Sequence, residues 1–238
     1  MARSLANQTQ PYSNNSARVR LTRWLLRRFG DLVYASAIIK PTVSGIENVP
    51  SGGPTIGIFN HVTLLDPLIS ASVIRNRDVV PLAKIELAQN PLTALLLWGW
   101  GAITIQRGEV DRTALRQSMS AIGTDGMLLI SPEGHRNLDG LRNPMPGVSL
   151  LANQTNAVIV PIGVSGTEAV RRNLTHLRRS KVIVKIGRAF KLKAGIQRKQ
   201  YDKAADEMMY QLAPLVEPEL RGEYADLSKA TMDTIEYV

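Results

Sequence analysis

Residues 55–68 read TIGIFNHVTLLDPL. Residues 55–59 form a short apolar run without polar alternation, as expected of a strand buried on both faces. Asn60 and His61 break that run. Asp66-Pro67 then precedes an apolar-periodic segment at 67–74, an N-cap residue followed by proline at the first helical position. Strand, polar turn and helix in this order make the opening βα unit of an α/β fold.

The pattern continues outward from this unit. Further strands are expected at 79–82, 102–105, 127–130, 158–162 and 182–186, and a short extended piece at 42–44. Helical patterns fall at 67–74, 91–97, 112–122, 148–153 and 204–215. The fold class is therefore α/β, with a central, mostly parallel sheet flanked by helices and an N-terminal amphipathic helix in front of it. Residues 1–16 read as a polar disordered arm, 17–40 as a basic amphipathic membrane-associating helix, and 41–238 as a single domain with an acidic helical tail. Pro161 within an apolar run demotes its strand to an edge or a bulge, or marks a shaped strand end.

Composition narrows the function. The 238 residues carry 29 Lys plus Arg against 20 Asp plus Glu, a net charge of +9, with 44% hydrophobic residues and no Cys. These values describe a packed protein, and they exclude thiol nucleophiles, thiolate zinc sites and disulfides. With no signal-peptide pattern at the start, they favour a reducing compartment. Three His leave little room for a His-rich metal cluster, so no metal site is expected.

The positive charge is localised. Arg3, Arg18, Arg20, Arg23, Arg27 and Arg28 precede the first acid, Asp31, and alternate with Val19, Leu21, Trp24, Leu25, Leu26 and Phe29 at helical spacing. Such a helix either lies on an anionic lipid surface or packs on its own domain. Between Ala169 and Tyr201 lie eleven Lys and Arg with no acid, a surface that attracts polyanions or is simply solvated. The acidic tail from Asp202 offers partners for part of that block. Residues 87–106 form 20 positions without a charge, but Gln89, Asn90, Pro91, Gly99 and Gly101 interrupt them, so no spanning helix is expected. The run 91–100 inside them is either a buried core helix or a segment that lines an acyl pocket or dips into lipid.

Charged and polar groups recur at strand ends, where open α/β sheets bind ligands. A neutral imidazole at His61 is suited to take a proton near neutral pH, and a carboxylate at Asp66 fixes its tautomer. On a regular helix a spacing of five places two residues about 140° apart, so the pair meets only across a turn. The competing reading makes Asp66 a cap and His61 a loop residue. Arg107 directly follows the strand at 102–105 and is placed either to hold a phosphate or to pair with Glu109 or Asp111. The strand at 127–130 runs into Ser131-Pro-Glu-Gly-His-Arg-Asn137, where Glu133 can accept hydrogen bonds from hydroxyls and Arg136 can take an anion.

Taken together, Asn60-His61 with Asp66, Gly101-x-Ile-x-Ile-x-Arg107, Pro132-Glu-Gly-x-Arg136 and Val160-Pro-Ile162 resemble the four blocks of the glycerolipid acyltransferase family that includes 1-acylglycerol-3-phosphate acyltransferases. The resemblance spans about 100 residues, and Gly45-Ile-Glu-Asn-Val-Pro50 resembles the family's lead-in. It implies His61 as general base and Asp66 as its orienting partner. It also implies Arg107, Glu133, Gly134 and Arg136 as the acceptor-binding set, with Pro161 near the acyl donor. Many relatives begin the third block with Phe and continue it with Thr, Arg, Ser; here Ser131, His135 and Asn137 take the flanking positions, which bears on acceptor choice. The implied reaction moves a fatty acyl group from an acyl-CoA or acyl carrier protein thioester to 1-acylglycerol 3-phosphate, with no cofactor besides that co-substrate. Glycerol 3-phosphate or another lysophospholipid is the alternative acceptor. The expected location is peripheral, on the cytoplasmic face of a membrane. A non-catalytic basic module is the rival from another class. Aromatics make up only 5% of the chain and Phe190 alone lies in the basic block, so nucleic acid is not an expected partner.

Overall fold

A computed structural model describes residues 17–35, 39–106, 111–123, 126–176 and 178–238. The arm expected at 1–16 lies outside the described residues. Among them, nine strands form one sheet. The strands are β1 (Ile39–Ser44), β2 (Thr55–Phe59), β3 (Val79–Lys84), β4 (Ile103–Ile105), β5 (Met127–Ile130), β6 (Val158–Ser165), β7 (Ser180–Ile186), β8 (Phe190–Leu192) and β9 (Ile235–Tyr237). Their order is β1-β7-β6-β2-β5-β3-β4, with β8 joining β6 to β9. Strands β2 to β6 pair in parallel with one another and β1 pairs in parallel with β7, while β7 and β8 run antiparallel to β6.

Both faces of the sheet are covered, which is why its strands show no polar alternation. On β2, Ile56 and Ile58 enter one core with Val80, Leu128 and Ile159, while Phe59 enters the other with Met127, Leu129 and Ile162. The first core is closed by α4 (Arg112–Gly123), α5 (Gly147–Thr155) and α7 (Tyr201–Leu212). The second is closed by α2 (Leu65–Val73) and α6 (Val170–Thr175), with Leu26 and Tyr34 of α1 (Ala17–Ala35) and Trp100 of α3 (Pro91–Trp100) reaching in. The second core packs closely on the Gly57 backbone, where a Cβ would lie 2.6 Å from Met127 Cε and 3.2 Å from Ile162 Cδ1 and Leu129 Cδ1.

Two expectations are corrected. Pro161 lies in β6, a central strand rather than an edge. Beyond it β6 pairs with β7 from Ile162, and before it with β8 at Ile159, so the proline sits where the strand changes partner. Its carbonyl is still used, accepting from Gly187 N at 2.9 Å. The run 91–100 is helical, capped by the Asn90 side chain and ended by Gly101 at φ 69°, but only Gly99 and Trp100 are buried. It is therefore not a buried core helix. The acidic tail does fold back on the basic block. Glu217 reaches Lys185 at 3.6 Å, Glu236 reaches Lys191 at 3.4 Å, and Lys193 Nζ donates to Met232 O at 2.7 Å. Glu207 of α7 fastens the tail from below, accepting from Thr231 Oγ1, Asp233 N, and Thr234 N and Oγ1 at 2.6 to 2.9 Å.

Candidate active site

The parallel strands β2, β5 and β6 end on the same side of the sheet, so the segments that follow them meet there. Asn60 stitches the first to the third. Its Nδ2 donates to Val164 O at 2.8 Å and its Oδ1 accepts from Val164 N at 2.7 Å, prolonging the β2–β6 ladder past Phe59. His61 therefore leaves the sheet from an anchored residue, and its ring meets that of Phe59 in a T-shaped contact with centroids 5.5 Å apart.

The turn at 61–65 brings the expected pair together, with His61 Nδ1 3.4 Å from Asp66 Oδ2. Helix α2 starts earlier than its sequence signals, so Asp66 stands within the first turn and does not cap it. Its carboxylate turns back over the loop. Oδ2 accepts from Val62 N at 2.7 Å and Thr63 N at 2.6 Å; Oδ1 accepts from Thr63 Oγ1 at 3.1 Å and Thr167 Oγ1 at 2.5 Å. Asp66 is fully buried, and a buried carboxylate is tolerable only when hydrogen-bonded in this way. His61 keeps 16% of its side chain exposed, and among the described residues no protein group occupies its Nε2. The arrangement is an imidazole with one nitrogen at a carboxylate and the other open, the geometry a general base requires.

The segment after β5 packs directly on this turn. Asn137 N donates to His61 O at 2.8 Å, while His61 N donates to Glu133 Oε2 at 3.3 Å. Glu133 is only 2% exposed, and its Oε1 accepts from Asn137 Nδ2 at 2.6 Å and from Arg142 N at 3.1 Å. Burial pushes its carboxyl above the ordinary range, and the hydrogen bonds from Asn137, Arg142 and His61, with the charge of His135, pull the other way. Protein donors reach both of its oxygens, His61 N at Oε2 and Asn137 Nδ2 with Arg142 N at Oε1. Gly134 is buried in the same turn at φ 71°, where a Cβ would meet Met145 Sδ at 2.6 Å. Arg136 is exposed, with no protein partner among the described residues. Arg107 lies outside the described residues.

Sequence reading missed Thr63, Asn137 and Thr167. Thr63 stands within the motif and carries an ST-turn signal, donating from its side chain to Asp66 and accepting from Leu65 N. Thr167 carries no local signal, because its partner is 101 residues away.

Residues 40–165 match the family model described as Acyltransferase. The chain is 32% identical over 133 residues to the 1-acyl-sn-glycerol-3-phosphate acyltransferase of Borreliella burgdorferi, a match covering 54% of this chain and 52% of that one. The chain thus spans about half the length of the curated relative it matches. In three dimensions it is similar to the crystal structure of the 1-acyl-sn-glycerophosphate (LPA) acyltransferase from Thermotoga maritima. The TM-score is 0.62 at 18% identity, over 95% of this chain and 86% of the other, a likeness of fold.

Proposed function

The chain belongs to the acyltransferase family, and from that premise we propose that it moves a fatty acyl group from an acyl thioester to the free hydroxyl of 1-acylglycerol 3-phosphate. The observation that carries the reading is the His61 ring, held at Asp66 by one nitrogen and open at the other. An alcohol is a poor nucleophile until its proton is removed as the new bond forms. His61 Nε2 takes that proton, and the hydroxyl oxygen attacks the thioester carbonyl. Asp66 stabilises the imidazolium that results. The tetrahedral adduct collapses by breaking its C–S bond, and the departing thiolate recovers the proton from His61. Carbon–oxygen bond formation, carbon–sulfur cleavage and one relayed proton balance without a covalent enzyme intermediate.

Arg136, exposed one residue before the segment bound to His61 O, is suited to hold the acceptor phosphate together with Arg107. Glu133 and Gly134 shape the loop that carries it. The thioester belongs to acyl-CoA or acyl carrier protein. The chain docks peripherally on the anionic cytoplasmic leaflet through α1 and α3, whose outward faces include Trp24, Leu25, Phe29, Leu92 and Leu95 beside Arg20 and Arg28. No helix among the described residues is long and apolar enough to cross a membrane. The rival basic module accounts for the charge but not for an imidazole set on a buried carboxylate.

His61→Ala should lower acyl transfer to 1-acylglycerol 3-phosphate by on the order of 100-fold or more while leaving vesicle binding intact. Turnover near wild type in that variant would sink the mechanism.

A further inference from the structure

We propose that Asn137 is a positioning residue that holds the main chain of His61 by two routes, one direct and one through Glu133. The kinetic part of this inference rests on the acyl-transfer reading above; the geometric part does not.

Three hydrogen bonds form a closed ring. Asn137 N donates to His61 O at 2.8 Å, Asn137 Nδ2 donates to Glu133 Oε1 at 2.6 Å, and His61 N donates to Glu133 Oε2 at 3.3 Å. Both backbone groups of residue 61 are thereby tied to the segment after β5. Asp66 separately fixes the next two amides and the ring nitrogen. The base is thus oriented from two sides by carboxylates with different tasks: Asp66 sets the imidazole, and Glu133 sets the peptide that carries it.

Glu133 depends on Asn137 to do this. It is buried, and no guanidinium or ammonium pairs with it among the described residues. Arg142 gives it only a backbone N–H, its side chain being turned to Asp139 at 2.9 Å. The other charged or titratable groups near the ring are His135, His61 and, beyond His61, Asp66. The shortest bond to the Glu133 carboxylate comes from Asn137, at 2.6 Å. A buried carboxylate that loses a donor is protonated more easily, and a protonated Glu133 no longer presents two accepting oxygens to Asn137 and His61.

The test uses the full chain. Asn137→Ala should lower kcat by about tenfold or more, the cost of a loosened base, while the KM for 1-acylglycerol 3-phosphate stays within about twofold. Its acidic limb of kcat should move to higher pH, because Glu133 must be ionised to hold His61. Asn137→Ser, whose hydroxyl can still donate, should recover part of the loss. A raised KM at unchanged kcat would instead make Asn137 itself a support of acceptor binding and overturn the inference, as would unchanged kinetics. The chain has three histidines, so the His61 ring is also readable by proton NMR. Its signals should shift in Asn137→Ala while those of His176 stay in place; unmoved His61 signals overturn the inference. Should that variant fail to fold, Glu133→Gln opens the same ring from its other side, with the same kcat loss and the same His61 shift expected. Absence of turnover by the wild-type protein would overturn the acyl-transfer reading alone, leaving the NMR result to decide the role of Asn137.

Discussion

Helices α1 and α7 both combine apolar periodicity with charge, yet they face opposite ways. In α7 the apolar side is inside: Ala204, Ala205, Met208, Met209 and Leu212 are buried on the sheet and tail. In α1 much of the large apolar surface is outside, with Leu21, Trp24, Leu25, Phe29 and Leu32 exposed, Phe29 at 65%. What α1 turns inward is largely polar. Thr22 Oγ1 donates to Gly99 O at 2.7 Å, Arg23 Nε to Trp100 O at 2.8 Å and Arg27 Nη2 to Arg77 O at 2.9 Å, and Arg23 pairs with Asp78 at 3.5 Å. Arg18 stacks over the Trp98 ring at 3.8 Å, joining α1 to α3, whose Leu92 and Leu95 are exposed as well. Periodicity establishes that a helix has two faces; the solvent that each face meets is set by what surrounds it. The Arg23 and Arg27 guanidinium groups satisfy carbonyls at Trp100, the last residue of α3, and at Arg77, so the apolar face of α1 is the one left outward.

Two substitutions should separate the helices by how each contributes to stability. Met208→Ala removes a fully buried side chain from the core beneath α7 and should destabilise the fold by about 2–5 kcal/mol, read from the denaturation midpoint. A loss below about 1 kcal/mol would mean that α7 does not hold the fold through its buried face. Arg23→Met keeps most of the volume but leaves Trp100 O without that donor. It should cost about 1–3 kcal/mol and expose the segment before β1 to proteolysis. If stability is unchanged and α1 stays protected, its polar inner face is not what holds it.

The same contrast marks how far the fold and site were legible beforehand. Strands β2 and β5 coincide with their apolar runs because both faces of each are buried, which leaves a compact and recognisable signal. His61 and Asp66 were legible because the turn that joins them is local, and Asp66-Pro67 announces it. Thr167 acts across the sheet, so nothing next to it in sequence names its partner, while Asn137 joins a local partner, Glu133, to a distant one, the His61 carbonyl. Glu133 was legible as a residue of the third motif, whereas its bonds to the His61 and Arg142 amides and to Asn137 are visible only in the packing. Pro161 misled for a related reason: proline disfavours a central strand unless the ladder changes partner there, and that change is made by β7 and β8. Strands β8 and β9 span three residues each and owe their form to tertiary pairing.

The smallest expected change in stability belongs to the outer face of α1, and it gives the sharpest test of the contrast. Leu25→Ser with Phe29→Ser removes two exposed side chains, so the folded state should lose little more than about 0.5 kcal/mol per site. Burying such a side chain fully is worth about 1.5–3 kcal/mol, and partial insertion at a headgroup boundary a fraction of that. Binding to vesicles containing anionic lipid should therefore weaken on the order of tenfold to 100-fold, as read by cosedimentation. The arginines remain in the variant, so its residual binding should be the more easily abolished by salt. Wild-type vesicle binding in the double variant, with a clear loss of stability, would place that face against protein and make α1 the same kind of helix as α7.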